Sequence, residues 1–254
     1  MNTPASFAKL FDHSIVRPDA TREEVERAAA TAAQLGTATL TVQPYYIAFA
    51  RPLLRGSDVL LGSVVGFPQG NETPESKAFQ TRAVLDEGAQ EIDMVMNIPA
   101  LKNRDERVFL RDIEGVVRAA GDDIVVKVIT ENCFLTDDEK RRACDWIARA
   151  GAGFVKTSTA FGSGGATLDD VRLMYEAVAG RCLVKAAGGV RTIDEVLAYL
   201  QAGARRFGST RTDQFVREYY ALPPDRRGAF ADYLSSNADS VSRESGRSPT
   251  PLPA

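Results

Sequence analysis

FVKTSTAFG, residues 154–162, sets Lys156 at the end of a short apolar run and follows it with three hydroxyl residues. A run of this length, opening after a glycine, has the character of a buried strand. Lysine is among the residues least often buried, because an unpaired ammonium taken out of water is costly. Further along, LVKAAGGV (183–190) repeats the arrangement with Lys185. Between the two, T-L-D-D at Thr167 is a helix start, with acids at the positive end of the helix dipole. The unit is therefore strand, helix, strand, with a lysine on each strand.

The same alternation extends in both directions. Apolar runs suited to strands occupy residues 9–16, 38–42, 59–67, 91–97, 124–130, 153–159, 182–188 and 205–210. Helical periodicity fills the intervals. Thr21 opens one helix with the capping box T-R-E-E, Thr73 precedes a proline at a first helical position, and Thr136 is followed by three acids. Gly36, Gly88, Gly151 and Gly203 stand where helices end, a place for the left-handed conformation. Eight strands alternating with helices predict an α/β fold, a (β/α)8 barrel in a single domain. An open doubly wound sheet is the competitor; it more often carries a glycine-rich turn after its first strand, and DHSIVRPDA (12–20) has none. The barrel is expected over residues 1–234, with 235–254, rich in serine and proline, as a disordered tail.

Bulk properties narrow the function. At 254 residues, 44% hydrophobic and 26% charged, the chain has the make-up of a globular protein. A net charge of −3 argues against nucleic acid as a partner. No apolar run is long enough to span a membrane, and the N-terminus lacks the basic-then-apolar pattern of a signal peptide. Cys133, Cys144 and Cys182 show no C-x-x-C spacing and read as reduced thiols of a cytoplasmic protein. His13 is the single histidine, so no imidazole or thiolate cluster is available for zinc, although carboxylates alone could hold magnesium.

In a barrel the C-terminal strand ends carry the active site. Side chains alternate along a strand, which groups Phe154, Lys156 and Ser158 on one face, Leu183 with Lys185, Asp93 with Glu91 and Val95, and Lys127 with Val125 and Ile129. The sixth and seventh strands are neighbours, so the backbones at Lys156 and Lys185 are expected about 5 Å apart. Two ammonium groups that close repel, and one is expected to lose its proton near neutral pH. A neutral amine in a dry pocket attacks carbonyls and forms a Schiff base, an electron sink for making or breaking a C–C bond. Asp93 is placed to hold a lysine and move protons, and Lys127 to set the charge on Asp93. The plainer alternative is an ion-pair network, or lysines whose long stems reach solvent. AAGGVRT (186–192) and GSTRT (208–212) follow strands seven and eight and lead into helices, the two places where barrels often bind phosphate.

DHSIVRPDAT, VVGFPQG, EIDMVMN, VKVITENCFLT, FVKTST and VKAAGGVRT, in this order over most of the chain, resemble segments of deoxyribose-phosphate aldolases, class I aldolases on a (β/α)8 barrel. The resemblance implies Lys156 as the Schiff-base lysine, Lys185 as the second lysine that lowers its pKa, and Asp93 as the proton-relay acid. It implies cleavage of 2-deoxy-D-ribose 5-phosphate to acetaldehyde and D-glyceraldehyde 3-phosphate, with no metal and no organic cofactor. On this basis Asp12 is expected to orient a substrate hydroxyl, Lys127 to join the substrate-binding group, and Gly188, Gly189, Ser209 and Thr210 to receive the phosphate. Three departures stand out. Thr41 replaces a common cysteine, Ala160 a common glycine, and Arg211 a small hydroxyl residue. Ala160 would add a methyl group if its backbone needs a positive φ. Arg211 could clamp a phosphate or carboxylate in bidentate fashion. Two other readings stay open: a related Schiff-base lyase on a carboxylated or unphosphorylated aldehyde, and a catalytically silent barrel that binds a sugar phosphate or a partner protein. Barrels of this kind often pair, so a homodimer is the oligomeric expectation.

Overall fold

The computed structural model describes residues 7–236. Its strands are β1 (Phe11–Ile15), β2 (Thr39–Val42), β3 (Leu60–Val65), β4 (Glu91–Val95), β5 (Val125–Ile129), β6 (Phe154–Lys156), β7 (Leu183–Ala187) and β8 (Ala204–Ser209). They pair in sequence order, all parallel, and β1 also pairs with β8, so the sheet closes into a barrel. Each apolar run expected to be a strand overlaps one, β8 starting one residue earlier than expected at Ala204, and the closed sheet removes the doubly wound competitor. The helices are α1 (Arg22–Leu35), α2 (Ile47–Ala50), α3 (Pro74–Asp86), α4 (Ile98–Lys102), α5 (Glu106–Ala120), α6 (Asp137–Arg149), α7 (Leu168–Val178), α8 (Ile193–Gln201), α9 (Thr212–Ala221) and α10 (Pro224–Ser236). None is long and apolar enough to cross a membrane. Of the tail expected from residue 235, α10 covers the first two positions, and 237–254 lie outside the described residues.

Local chemistry sets the helix ends. Thr21 and Thr136 form full capping boxes with Glu24 and Glu139, and the Thr73 and Thr167 hydroxyls accept from the backbone N–H three residues on. Thr192 and Glu195 form a third box at α8. Gly36, Gly88, Gly151 and Gly203 all have positive φ where their helices stop.

The period of two along each strand separates two interiors. Leu40, Val42, Ile92, Met94, Val126, Val128, Val155 and Val184 belong to the apolar core shared with the helices. Each such burial is worth about 1.5–3 kcal/mol. The residues between them point into the barrel. Barrel interiors are mostly filled by branched apolar chains; here Asp12, Glu91, Asp93, Lys127, Lys185 and Arg206 are buried instead. The Arg206 guanidinium carbon lies 5.7 Å from the ring centre of Phe154. Aromatic rings cover the β1–β8 seam: Phe11 packs on Phe207 and Phe215, and Phe7 stacks on Tyr219 at 4.2 Å.

Candidate active site

Register brings the lysines together. In the parallel pairing of β6 with β7, Lys156 lies directly opposite Lys185, and in that of β4 with β5, Asp93 lies opposite Lys127. The three amines converge on one carboxylate. Lys156 Nζ donates to Asp93 Oδ2 at 2.6 Å and Lys185 Nζ to the same oxygen at 2.7 Å, while Lys127 Nζ donates to Oδ1 at 3.0 Å. Behind them, Asp12 accepts from Lys185 and, at 2.7 Å, from Arg206 Nη1. Lys127 also pairs with Glu91 and lies 3.5 Å from Asp12.

Among the described contacts, the four basic groups of Lys127, Lys156, Lys185 and Arg206 thus pair with three carboxylates, those of Asp12, Glu91 and Asp93. Removing one proton balances the cluster. Lys127 and Lys185 each contact two or more carboxylates, whereas Lys156, among the described residues, contacts that of Asp93 alone. Lys156 is also the lysine nearest the opening, with 9% of its side chain exposed against 0% for the other two. Burial pulls the Lys156 pKa down to about 8, opposed by Asp93 and assisted by Lys185 and Lys127. Burial pushes the Asp93 carboxyl up, but the three lysines outweigh it and hold the group well below the usual carboxylate range. Burial also disfavours charge on Lys127, yet Asp12, Asp93 and Glu91 overcome it and raise its pKa.

The expected cause of the Lys156 shift needs correcting. Repulsion from Lys185 contributes, but burial is the larger effect, because Asp93 lies between the amines and shields each from the other. Asp12 and Lys127 were both expected to bind substrate. Asp12 and Lys127 are fully buried and do not line the cleft. Their charges are used up on Lys185, Arg206, Glu91 and Asp93, so they act on the lysine pair from below.

The hydroxyls after Lys156 fix the turn. Thr157 Oγ1 donates to the Ala187 carbonyl and accepts from its N–H, tying β6 to β7. The Thr159 N–H and hydroxyl both donate to Glu131, a buried carboxylate in a left-handed residue. Ser158 Oγ is buried, with no partner among the described residues. Ala160 follows at φ +71°, so its methyl group occupies a conformation that costs an L-residue roughly 1–2 kcal/mol.

A cleft of about 750 Å³ opens over Lys156 at the C-terminal strand ends. Gly188 and Gly189 after β7, Ser209 at the end of β8, and Thr210 and Arg211 beyond it all line it. Gly188 and Gly189 both have positive φ, which bends the chain sharply after β7. The Ser209 hydroxyl accepts from the Arg211 N–H at 2.9 Å and shapes the turn into α9. Arg191 and His13, not among the expected site residues, also line the cleft, and Arg206 lies beneath it. Arg191 was in view within AAGGVRT, and alternation along β8 puts Arg206 two positions before Gly208, on the inner face.

Residues 7–211 match the DeoC/LacD family of aldolases. The deoxyribose-phosphate aldolase of Lysinibacillus sphaericus is 44% identical over 205 residues, 81% of this chain and 92% of its own length. That of Listeria innocua is 44% identical over 220 residues, 87% and 99% of the two chains. Among solved structures, the tetrameric deoxyribose phosphate aldolase from Aeropyrum pernix superposes with a TM-score of 0.79 at 29% identity, covering 87% of this chain and 94% of that one.

Proposed function

The chain belongs to the DeoC/LacD family of aldolases, and we propose that it cleaves 2-deoxy-D-ribose 5-phosphate reversibly to acetaldehyde and D-glyceraldehyde 3-phosphate through a Schiff base on Lys156. It is a carbon–carbon lyase of the class I type. The observation that carries the assignment of Lys156 is its place: the one cluster lysine that lines the cleft, held by a single carboxylate, with a pKa near 8.

The neutral Lys156 amine adds to the C1 aldehyde of the open-chain sugar. The carbinolamine loses water, and Asp93 Oδ2, in contact with both amines, takes the proton released from nitrogen. Lys185, on the same oxygen, supplies the proton for the departing hydroxyl. Asp93 returns its proton to Lys185, and in the iminium the C3 hydroxyl then gives its proton to Asp93 as the C2–C3 bond breaks. Its electrons flow to the iminium nitrogen, leaving an enamine and glyceraldehyde 3-phosphate. Protonation of the enamine carbon and hydrolysis release acetaldehyde and restore Lys156. Gly188, Gly189, Ser209, Thr210 and Arg211 receive the phosphate, with Arg211 as its guanidinium partner.

Borohydride trapping with acetaldehyde, read by peptide mass spectrometry, tests this. An ethyl adduct on Lys156 is expected, together with loss of retro-aldol activity in Lys156→Ala. No adduct on Lys156 would favour a silent barrel, and wild-type activity in Lys156→Ala would end the assignment. A second reading, an unphosphorylated or carboxylated aldehyde as substrate, is favoured by Ala160 at positive φ and by Arg211 in the cleft. A higher kcat/KM on unphosphorylated deoxyribose than on its 5-phosphate would select it. The cysteines are free, which suits a reducing compartment, and we place the enzyme in the cytoplasm, acting as a homodimer.

A further inference from the structure

The phosphate end of the cleft contains a side chain that the aldol chemistry leaves unused. His13 follows Asp12 on β1, so it points to the opposite face, and it pairs in register with Ser209 of β8. The residue is 7% exposed, yet it lines the cleft together with Gly208, Ser209, Thr210 and Arg211. Its Nδ1 lies 3.1 Å from Oγ1 of Thr212, the first residue of α9. Thr212 is fully buried, and among the described residues its hydroxyl has no other partner. Nε2 has no partner among the described residues either, and it is not one of the fully buried unpaired atoms.

These contacts favour one tautomer of the ring. Burial keeps the imidazole pKa below its ordinary value, with Asp213 opposing, so the ring is neutral at pH 7 and carries one N–H. Among the described residues the buried Thr212 hydroxyl has no acceptor other than Nδ1, and donating there places the ring proton on Nε2. An anion above the Gly208–Arg211 turn reinforces that tautomer, because a bare Nε2 lone pair would face its oxygens.

We propose that His13 is a substrate-binding residue, its Nε2–H donating a hydrogen bond to the phosphate of the bound sugar. This rests on the aldolase reading and on the phosphate lying between the β7 and β8 turns. His13 then does two things: Nδ1 fixes the first turn of α9, and Nε2 contacts the ligand.

Cleavage of deoxyribose 5-phosphate and of unphosphorylated deoxyribose, compared in wild type, His13→Ala, His13→Gln and His13→Asn, tests it. The glutamine amide nitrogen reaches the place of Nε2, whereas that of asparagine reaches only the place of Nδ1. For His13→Ala and His13→Asn, KM for the 5-phosphate should rise about tenfold with kcat within about twofold, the size of one hydrogen bond to a charged group. Neither variant should change kcat/KM on the unphosphorylated sugar, and His13→Gln should restore most of the phosphate KM. Rescue by His13→Asn assigns the ring to holding α9 alone and overturns the proposal, as does an equal loss on both sugars. The chain has one histidine, so its imidazole NMR signal in the wild-type protein can also be followed without any variant. A saturable shift on adding inorganic phosphate is expected, and an unmoved signal overturns the contact. A wild-type protein that cleaves neither sugar would instead defeat the aldolase reading, and the phosphate titration would still decide on His13.

Discussion

At the scale of single residues, the site is a problem in counting charge. Lys185 touches both Asp12 and Asp93, so its ammonium neutralises part of the field that would otherwise hold a proton on Lys156. Replacing it with an apolar chain leaves Asp93 freer to bind the Lys156 proton, and the Lys156 pKa rises. Lys185→Leu should therefore lower kcat/KM at pH 7 by roughly two to four orders of magnitude and move the pH–rate midpoint upward. A loss with no movement of the midpoint would mean that Lys185 serves only as a proton donor. The lysine pair was legible in the sequence because alternation along two successive strands puts both on the inner face. The dominant effect on Lys156 was not, because burial depends on how the neighbouring strands close over the amine.

At the scale of elements, a second buried ion pair ties two helices to the strand that carries Asp93. Lys77 of α3 donates to Asp112 of α5 at 2.6 Å and to the Val95 carbonyl of β4 at 2.8 Å, and both side chains are fully buried. Burial pushes the Asp112 carboxyl up to about 6, with Lys77 opposing, and burial also lowers Lys77. A carboxyl raised in the folded state contributes stability below its unfolded value near 3.8, and that contribution is lost as pH rises through about 6. At pH 7 the pair is therefore expensive to keep ionised, while either partner alone would be worse. Lys77→Met should destabilise by about 3–5 kcal/mol, and Lys77→Met with Asp112→Leu should be neutral or more stable than wild type by up to about 4 kcal/mol. Urea unfolding at pH 7 measures both, and a double variant as unstable as the single one would contradict this account. PESKAFQTRAVLD gave no hint of the pair, since a lone lysine on a helix usually faces water, and its partner lies 35 positions away. Helix starts and stops, in contrast, were readable because caps are local chemistry.

At the scale of the whole molecule, the barrel lets distant residues share one small ionic core. Asp12 on β1, Asp93 on β4, Lys127 on β5, Lys156 on β6, Lys185 on β7 and Arg206 on β8 meet only because β1 pairs with β8. The eight-fold alternation was visible along the chain, and so was the order of strands. A closed barrel already implied that β1 meets β8; what the alternation did not show is that this seam joins Asp12 to Arg206 beside Lys185 and is covered by Phe11, Phe207 and Phe215. Closure keeps water from the lower layer and leaves only the tip of Lys156 in the cleft, so the fold itself sets the reactivity of the amine. The rate of reductive trapping of acetaldehyde on Lys156, followed across pH under single-turnover conditions, reads that amine directly. A midpoint near 8 is the predicted result; a rate still climbing toward the ordinary lysine value of 10.5 would contradict it.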